Sequence, residues 1–393
     1  MLHRRQDVVL PAHHGRVEQN DLPAQPGEVG HGILEGEIPF QTDYLNAVHG
    51  YLYDCPDNKP FFTRMYPCTI FFIMKAIWPD GENSMSEWVR IAAPATTSNI
   101  GAGFDVFGLA FHEPYDIVEG RKIESGIVIS SIEGPGADLI PTDPDKNSVT
   151  IALKEVLKRA GADFGVEVRI IKGIRPGSGM GSSGASSAGG AYLGHVLTGE
   201  KLPINEVVMC AAVAEGYTSG TMHADNVAPC ILGGFTIIRS YEPFEVLRIE
   251  PPKNLGLVVA LPDVVVMTAD SRAVLPETVR IKDLVYHVGH ASSLVYAMMS
   301  GDLSLIGRSV GDVVFEPARS KLIPHLKEAE NAAMNHGALV SFLGGSGPCV
   351  MSFYDKDTHN GEIIAESVKK VFNENGLKCD VWVTECGTGC RRL

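Results

Sequence analysis

From residue 85 to the C-terminus, apolar positions recur either every second residue or every third to fourth, and the switches between the two rhythms mark out the elements. Residues 88–93 read as a short strand running into Pro94. Ile127–Ile132 read as another, ended by Gly134-Pro135-Gly136. Between Asn147 and Ala160 the apolar side chains Val149, Leu153, Val156 and Leu157 form a helical stripe closed by Gly161. Val166–Ile171 alternate as a strand and lead through a glycine- and serine-rich run, 173–183, into a helix of small residues from Gly184 to Leu197. A second helix opens at Pro203 and runs to about Gly216, with Glu215 at its end. Leu255–Leu261 and Val264–Thr268 read as strands, Asp283 as the cap of a helix reaching about Met299, and Pro324–His336 as a helix stopped by Gly337. The chain closes with strands at 339–343, 350–354 and 381–384 and a helix at 362–375. Antiparallel pairing with helices on one face, an α+β arrangement, fits this last part. Residues 1–84 show neither rhythm.

Composition sets the outer limits. The 393 residues, 45% apolar and 20% charged, allow two or three domains with a full core. A formal net charge of -14 argues against nucleic acid and anionic membranes as partners, because an acidic field repels phosphate backbones. Any bound anion must be held by a local site. The eight cysteines show no zinc-like spacing and read as free thiols of a reducing, cytoplasmic setting, Cys386 and Cys390 included. The apolar run from Thr69 to Trp78 is about half the roughly 20 residues a membrane-spanning helix needs, so no membrane association is expected. Residues 1–84 hold eight of the 24 prolines and five histidines. The expected reading is an extension of unknown role upstream of a natural start at Met85, mis-assigned or poorly ordered, with a small accessory domain as the rival.

The run Arg175-Pro176-Gly177-Ser178-Gly179-Met180-Gly181-Ser182-Ser183-Gly184-Ala185-Ser186 carries the chemistry. Glycines between a strand and a helix let backbone N–H groups turn toward one point, where the positive helix end favours a phosphate. Close packing of a helix on a sheet is the competing reason for small residues. A Walker A loop is excluded, since no lysine lies between Lys172 and Lys201. Gly179 to Gly184 match GxGxxG, but the acidic residue a dinucleotide site wants about 20 positions on is replaced by Lys201-Leu202-Pro203.

The same run resembles the phosphate loop of the GHMP kinases, with Met180 for the usual Leu and Gly184 for the usual Ala. Two further motifs of that superfamily match in order: Pro94-Ala95-Thr96-Thr97-Ser98-Asn99-Ile100-Gly101-Ala102-Gly103-Phe104-Asp105, and the glycine turn Leu343-Gly344-Gly345-Ser346-Gly347-Pro348. Within the superfamily, Ser98-Asn99-Ile100-Gly101, Phe104-Asp105-Val106-Phe107-Gly108 and His223-Ala224-Asp225-Asn226-Val227-Ala228-Pro229 are similar to the homoserine kinase branch. Mevalonate kinases place a catalytic aspartate eleven residues after a metal-binding glutamate; Asn226 occupies that place here.

The resemblance implies a two-domain fold, a ribosomal-protein-S5-like βα domain over 85–245 that binds ATP and a ferredoxin-like domain over 246–393. It implies ATP as co-substrate, Mg²⁺ held by Ser183 and Glu215, phosphates cradled by Pro176 to Ser186, and Asn147 near the adenine. Asn99, Asp105, His223, Asn226, Arg272 and Arg319 would form the pocket for L-homoserine, with Asn226, Glu215 and Ser183 serving the reaction. A shikimate-type kinase and a catalytically silent nucleotide-binding relative are the alternatives; the presence of both Ser183 and Glu215 favours the enzyme. His287 and His290 share a helix face but lack a third metal ligand nearby. The oligomeric state is not legible, and a homodimer stays open.

Overall fold

The computed structural model describes residues 87–393 with the exception of Thr221. The expected extension over 1–84 lies outside the described residues. Strand β1 (Val89–Ser98) runs through Pro94 instead of stopping at it. Proline cannot donate to a ladder, and the β1–β2 register shifts between Pro94 and Thr96, a bulge that accommodates it. β2 (Phe107–Ile123), β3 (Ile127–Glu133), helix α1 (Ser148–Ala160) and β4 (Gly165–Ile171) follow. The Asn147 carboxamide caps α1 by accepting from Val149 N at 2.9 Å, and Gly161 closes it in the left-handed conformation that glycine adopts without a Cβ penalty.

Helix α2 (Ser182–Leu197) begins two residues earlier than its small-residue run predicts, with Gly181 at φ 67 as its cap. Its composition is explained by packing: a Cβ on Gly190 would lie 2.0 Å from Val149 O, and one on Gly189 would lie 2.6 Å from Val118 Cγ2. Close packing therefore explains the small residues of the helix, which Gly189 and Gly190 let approach β2 and α1. Helix α3 (Ile204–Ser219) continues past the expected stop at Gly216 to Gly220. Next come α4 (Val227–Leu232), β5 (Phe235–Tyr241) and β6 (Phe244–Ile249). The first sheet has the order β11-β1-β2-β4-β3, with β5 paired to the near end of β2 and β6 beyond it.

The second half contains β7 (Leu255–Pro262), α5 (Thr268–Ala273), α6 (Ile281–Ser300), α7 (Leu303–Ser309), α8 (Phe315–Arg319) and α9 (Leu326–Asn335). It ends with β8 (Val340–Leu343), β9 (Val350–Asp355), α10 (Gly361–Glu374), β10 (Cys379–Glu385) and the short β11 (Arg391–Arg392). The antiparallel order β10-β7-β9-β8 places the fourth strand beside the first and the third beside the second, the ferredoxin-like arrangement the resemblance implied. Every residue of β7 is buried because the strand serves two cores. Leu257 and Val259 face one shared with the first sheet, while Val258 and Ala260 face one closed by α9 and α10. On α10 the stripe Ile364, Val368 and Phe372 fills that second core, each side chain contributing about 1.5–3 kcal/mol of burial.

Several expectations are corrected. Residues 264–267 belong to no strand and lead directly into α5. Asp283 is the third residue of α6, not its cap, and grips Arg280 in the preceding turn at 2.6 and 3.0 Å. Helix α9 starts at Leu326, two residues after Pro324. The boundary at 245/246 falls inside β6, and the C-terminus returns to the first sheet, where Ile91 and Ala92 pair with Arg392 and Arg391. Among the described residues no helix is long and apolar enough to cross a membrane.

Candidate active site

Strand β4 ends at Ile171, and the next residue, Lys172, is buried with Asp116 of β2 at 1% and 0% side-chain exposure. Asp116 Oδ1 accepts from the N–H groups of Gly173 (2.9 Å) and Ile174 (3.0 Å), and Lys172 Nζ donates to Asp116, to Ser186 Oγ (2.9 Å) and to Ser182 O (3.3 Å). This pair thus ties the entry of the glycine loop to the first turns of α2. Within the loop Gly177, Gly179 and Gly181 all have φ between 67 and 77°, the left-handed region where a side chain is strained. A Cβ on Gly179 would come within 2.7 Å of Gly347 O, and one on Gly181 within 2.1 Å of Thr96 Oγ1 and 2.8 Å of Asn226 Oδ1. The three motif segments therefore meet at one place, joined also by Thr96 N donating to Met180 O at 3.1 Å and Asn99 Nδ2 to Gly345 O at 2.9 Å.

Side chains of the loop divide sharply. Met180 and Ala185 are in the core, Ser182 Oγ donates to Ile174 O (2.9 Å), and Ser178 Oγ accepts from Met180 N (3.3 Å). With Ser186 engaged by Lys172, what this segment offers an anion is its backbone N–H groups, together with Ser183. Ser183 Oγ donates to Glu215 Oε1 at 2.8 Å, and Ser187 Oγ does the same at 2.6 Å. Burial pushes the Glu215 carboxyl upward, opposed by the two hydroxyls and Lys172. A hydroxyl and a carboxylate at the mouth of the loop are hard oxygen donors that fit Mg²⁺, which takes few protein ligands and completes its shell with phosphate and water. Among the described residues no group of three or more His, Cys, Asp and Glu could enclose a metal. His287 instead accepts from Val313 N, and His290 stacks on Tyr286.

Beside this anion site lies a polar pocket. Three consecutive residues of the first motif, Asn99 (φ 72), Ile100 (φ 41) and Gly101 (φ 64), and, further on, Asp105 (φ 56) adopt left-handed geometry. Such backbone is costly and is held here by Asn99 Oδ1 accepting from Asp105 N at 3.0 Å. Arg272 Nη2 reaches both Asp105 oxygens (3.1 and 3.3 Å) and a ring nitrogen of His223 (2.8 Å). Burial and then Arg272 lower the His223 pKa, which keeps the imidazole neutral near pH 7. Arg319, 4% exposed, donates to Gly345 O (3.0 Å) and Ser271 O (3.3 Å) and lies 5.3 Å over the ring of Phe104, itself stacked on Phe315 at 3.8 Å. Asn226 accepts from Thr96 Oγ1 (2.8 Å) and donates to Ser98 Oγ (3.1 Å).

Four of the six residues expected around a substrate, Asn99, Asp105, His223 and Arg272, are thus joined directly; Arg319 is tied in through the Gly345 carbonyl it shares with Asn99, and Asn226 through Ser98, the neighbour of Asn99. Asn147 does not join them through its side chain: it is wholly buried, with Oδ1 capping α1 and Nδ2 donating to Pro141 O at 2.8 Å. Sequence reasoning passed over Asp225. It is 4% exposed, and its carboxyl is pushed up to about 7 by burial and by Asp105. The available signal was an acid within the His223–Pro229 run.

A two-sheet α+β fold whose glycine loop opens a helix beside a carboxylate, a hydroxyl and a two-arginine pocket defines a small-molecule kinase of the GHMP type. The GHMP kinases N terminal domain family matches residues 147–234, and the GHMP kinases C terminal family matches 294–374. The homoserine kinase of Methanococcus maripaludis (strain S2) is 43% identical over 305 residues, covering 77% of this chain and 97% of its own length. That of Pyrococcus abyssi is 39% identical over 303 residues, covering 77% and 98%. The crystal structure of homoserine kinase from Cytophaga hutchinsonii superposes with a TM-score of 0.75 at 36% identity, covering 79% of this chain and 98% of that one. The chain belongs to the homoserine kinase family.

Proposed function

We infer that this protein transfers the γ-phosphoryl group of ATP to the side-chain hydroxyl of L-homoserine, giving O-phospho-L-homoserine for threonine biosynthesis. The observation that carries the residue assignments is the placement of Asp105, His223, Arg272 and Arg319 next to the phosphate loop, with Asn226 between the two. Asp105 and Arg272 form an ion pair at 3.1 Å. A zwitterionic amino acid can divide that pair without leaving a charge uncompensated, its ammonium taking Asp105 and its carboxylate the guanidinium groups of Arg272 and Arg319. The N–H groups from Gly179 to Ser183 cradle the phosphates at the positive end of α2. Ser183 and Glu215 would hold Mg²⁺, whose charge when bound offsets that of the phosphate oxygens.

Asn226 cannot accept a proton as a carboxylate would. Phosphoryl transfer through a loose transition state depends mainly on positioning and charge, so an orienting amide suffices and the hydroxyl proton leaves with the phosphoryl group or through water. The test is Arg272→Ala. A charged hydrogen-bonding partner contributes about 1.5–3 kcal/mol, so KM for homoserine should rise on the order of 10- to 100-fold while KM for ATP stays near wild type. An unchanged homoserine KM would remove Arg272 from the pocket.

A further inference from the structure

Helix α8 is a little over one turn long and carries Arg319, the more buried of the two pocket arginines, at its last position. A helix that short does not hold itself, because its first N–H groups have no partner within it. Asp312 partners three N–H groups in succession. Its Oδ1 accepts from Val314 N and Phe315 N and its Oδ2 from Glu316 N, each at 2.8 Å. The next residue, Pro317, has no N–H to satisfy. The carboxylate is itself held in place. Its side chain is 7% exposed, Nε2 of His287 on α6 lies 3.3 Å from Oδ1, and the preceding Gly311 is pressed on the first motif, where a Cβ on Gly101 would lie 2.7 Å from Gly311 N.

Two side chains of α8 add attachments around the same pocket. Phe315 stacks at 3.8 Å on Phe104, the neighbour of Asp105. Glu316 Oε2 accepts from Leu343 N at 2.9 Å, at the head of the glycine turn whose Gly345 carbonyl takes Arg319 Nη1. These two contacts hold side chains of the helix. Asp312 holds its backbone, and so sets the direction from which Arg319 enters the pocket.

We propose that Asp312 is a positioning residue for substrate binding: by capping α8 it holds the Arg319 guanidinium where it meets the carboxylate of the amino-acid substrate. The role rests on the reading of Arg319 given above. A guanidinium engages a carboxylate through two parallel N–H bonds only over a narrow range of orientations. The carbonyls that Arg319 meets, Gly345 O and Ser271 O, fix its tip without bringing a negative charge, so its charge is kept for the substrate and its direction comes from α8. With the cap removed, three N–H groups lose their acceptor and the turn can shift, while the entry of the phosphate loop keeps its own supports in Asp116 and Lys172. Homoserine binding is therefore weakened and ATP binding is not.

The experiment compares the full-length wild type with Asp312→Ala, Asp312→Asn, Arg319→Ala and the double variant Asp312→Ala/Arg319→Ala. It measures Tm, kcat and both KM values, with the kinetics run at a temperature where every variant is folded. Asp312→Ala should raise KM for homoserine on the order of tenfold, with kcat and KM for ATP within about twofold of wild type. Asp312→Asn, which keeps one oxygen for the N–H groups of Val314 and Phe315, should fall between the two, and it carries the test if Asp312→Ala does not fold. In the Arg319→Ala background, Asp312→Ala should change homoserine KM by less than about twofold, whereas a cap with a purely structural role would act equally in both backgrounds. Wild-type homoserine KM in both Asp312 variants, a parallel rise in KM for ATP, or an undiminished effect in the Arg319→Ala background would overturn the proposal. Wild-type homoserine KM in Arg319→Ala would instead remove the underlying reading of Arg319, and the proposal with it.

Discussion

Gly181 and Gly177 lie four residues apart in one loop, share a left-handed backbone, and differ in what surrounds them. A Cβ on Gly181 would strike Thr96 and Asn226, whereas one on Gly177 would meet nothing within 4 Å. Gly177→Ala should therefore cost only about 1–2 kcal/mol of backbone strain and keep near-wild-type kcat. Gly181→Ala should displace the amide that faces the nucleophile and lower kcat on the order of 100-fold, as a shift of about 1 Å in a reacting group can. Steady-state kinetics on both variants separate the two effects; equal losses would mean that loop strain alone matters. At this scale the sequence carried the residue types: Arg272, Asp105, His223 and Asn226 were recognisable from their motifs. It did not carry Asp225, whose burial only the fold reveals, nor the commitment of Asn147 to capping, which only the burial of both ends of its carboxamide reveals.

The unit that positions the loop is β4, the glycine run and α2, pinned by the buried pair Asp116 and Lys172. Removing one partner of such a pair strands the other charge. Asp116→Ala should lower stability by about 3–5 kcal/mol, a fall in Tm on the order of 10 °C, because Lys172 and the N–H groups of Gly173 and Ile174 all lose their acceptor. Thermal unfolding followed by circular dichroism checks it, and an unchanged Tm would mean that water replaces the carboxylate. Helix α1 was legible to within a residue because Gly161 punctuates its end, whereas Gly216 did not stop α3. β2 was not legible, since its apolar run Phe107–Phe111 shows no alternation and His112-Glu113-Pro114 interrupts it. The opposite error at 264–268 has the same root. A β-branched run reads as a strand, but strand formation needs a neighbouring edge, and both neighbours of β7 are already β10 and β9.

Across the whole molecule, a chain with net charge -14 is expected to bind a polyanion, and it can because the favourable charge is local: loop N–H groups, the end of α2, and two arginines on α5 and α8. The two-sheet architecture was legible only through the resemblance, since periodicity gives elements and not strand order. The return of the C-terminus to β1 was signalled by nothing in the pattern of 386–393, where the pairing is just two residues long. The central claim, that these parts together phosphorylate homoserine, is tested most directly by one competition experiment on the full chain. ATP and Mg²⁺ are supplied with equal amounts of L-homoserine, L-threonine, L-serine, mevalonate and shikimate, and the products are resolved by ³¹P NMR. A single new phosphomonoester, identified as O-phospho-L-homoserine and lost when homoserine is omitted, is the predicted result; another ester as the main product, or none alongside measurable ATP binding, would contradict it.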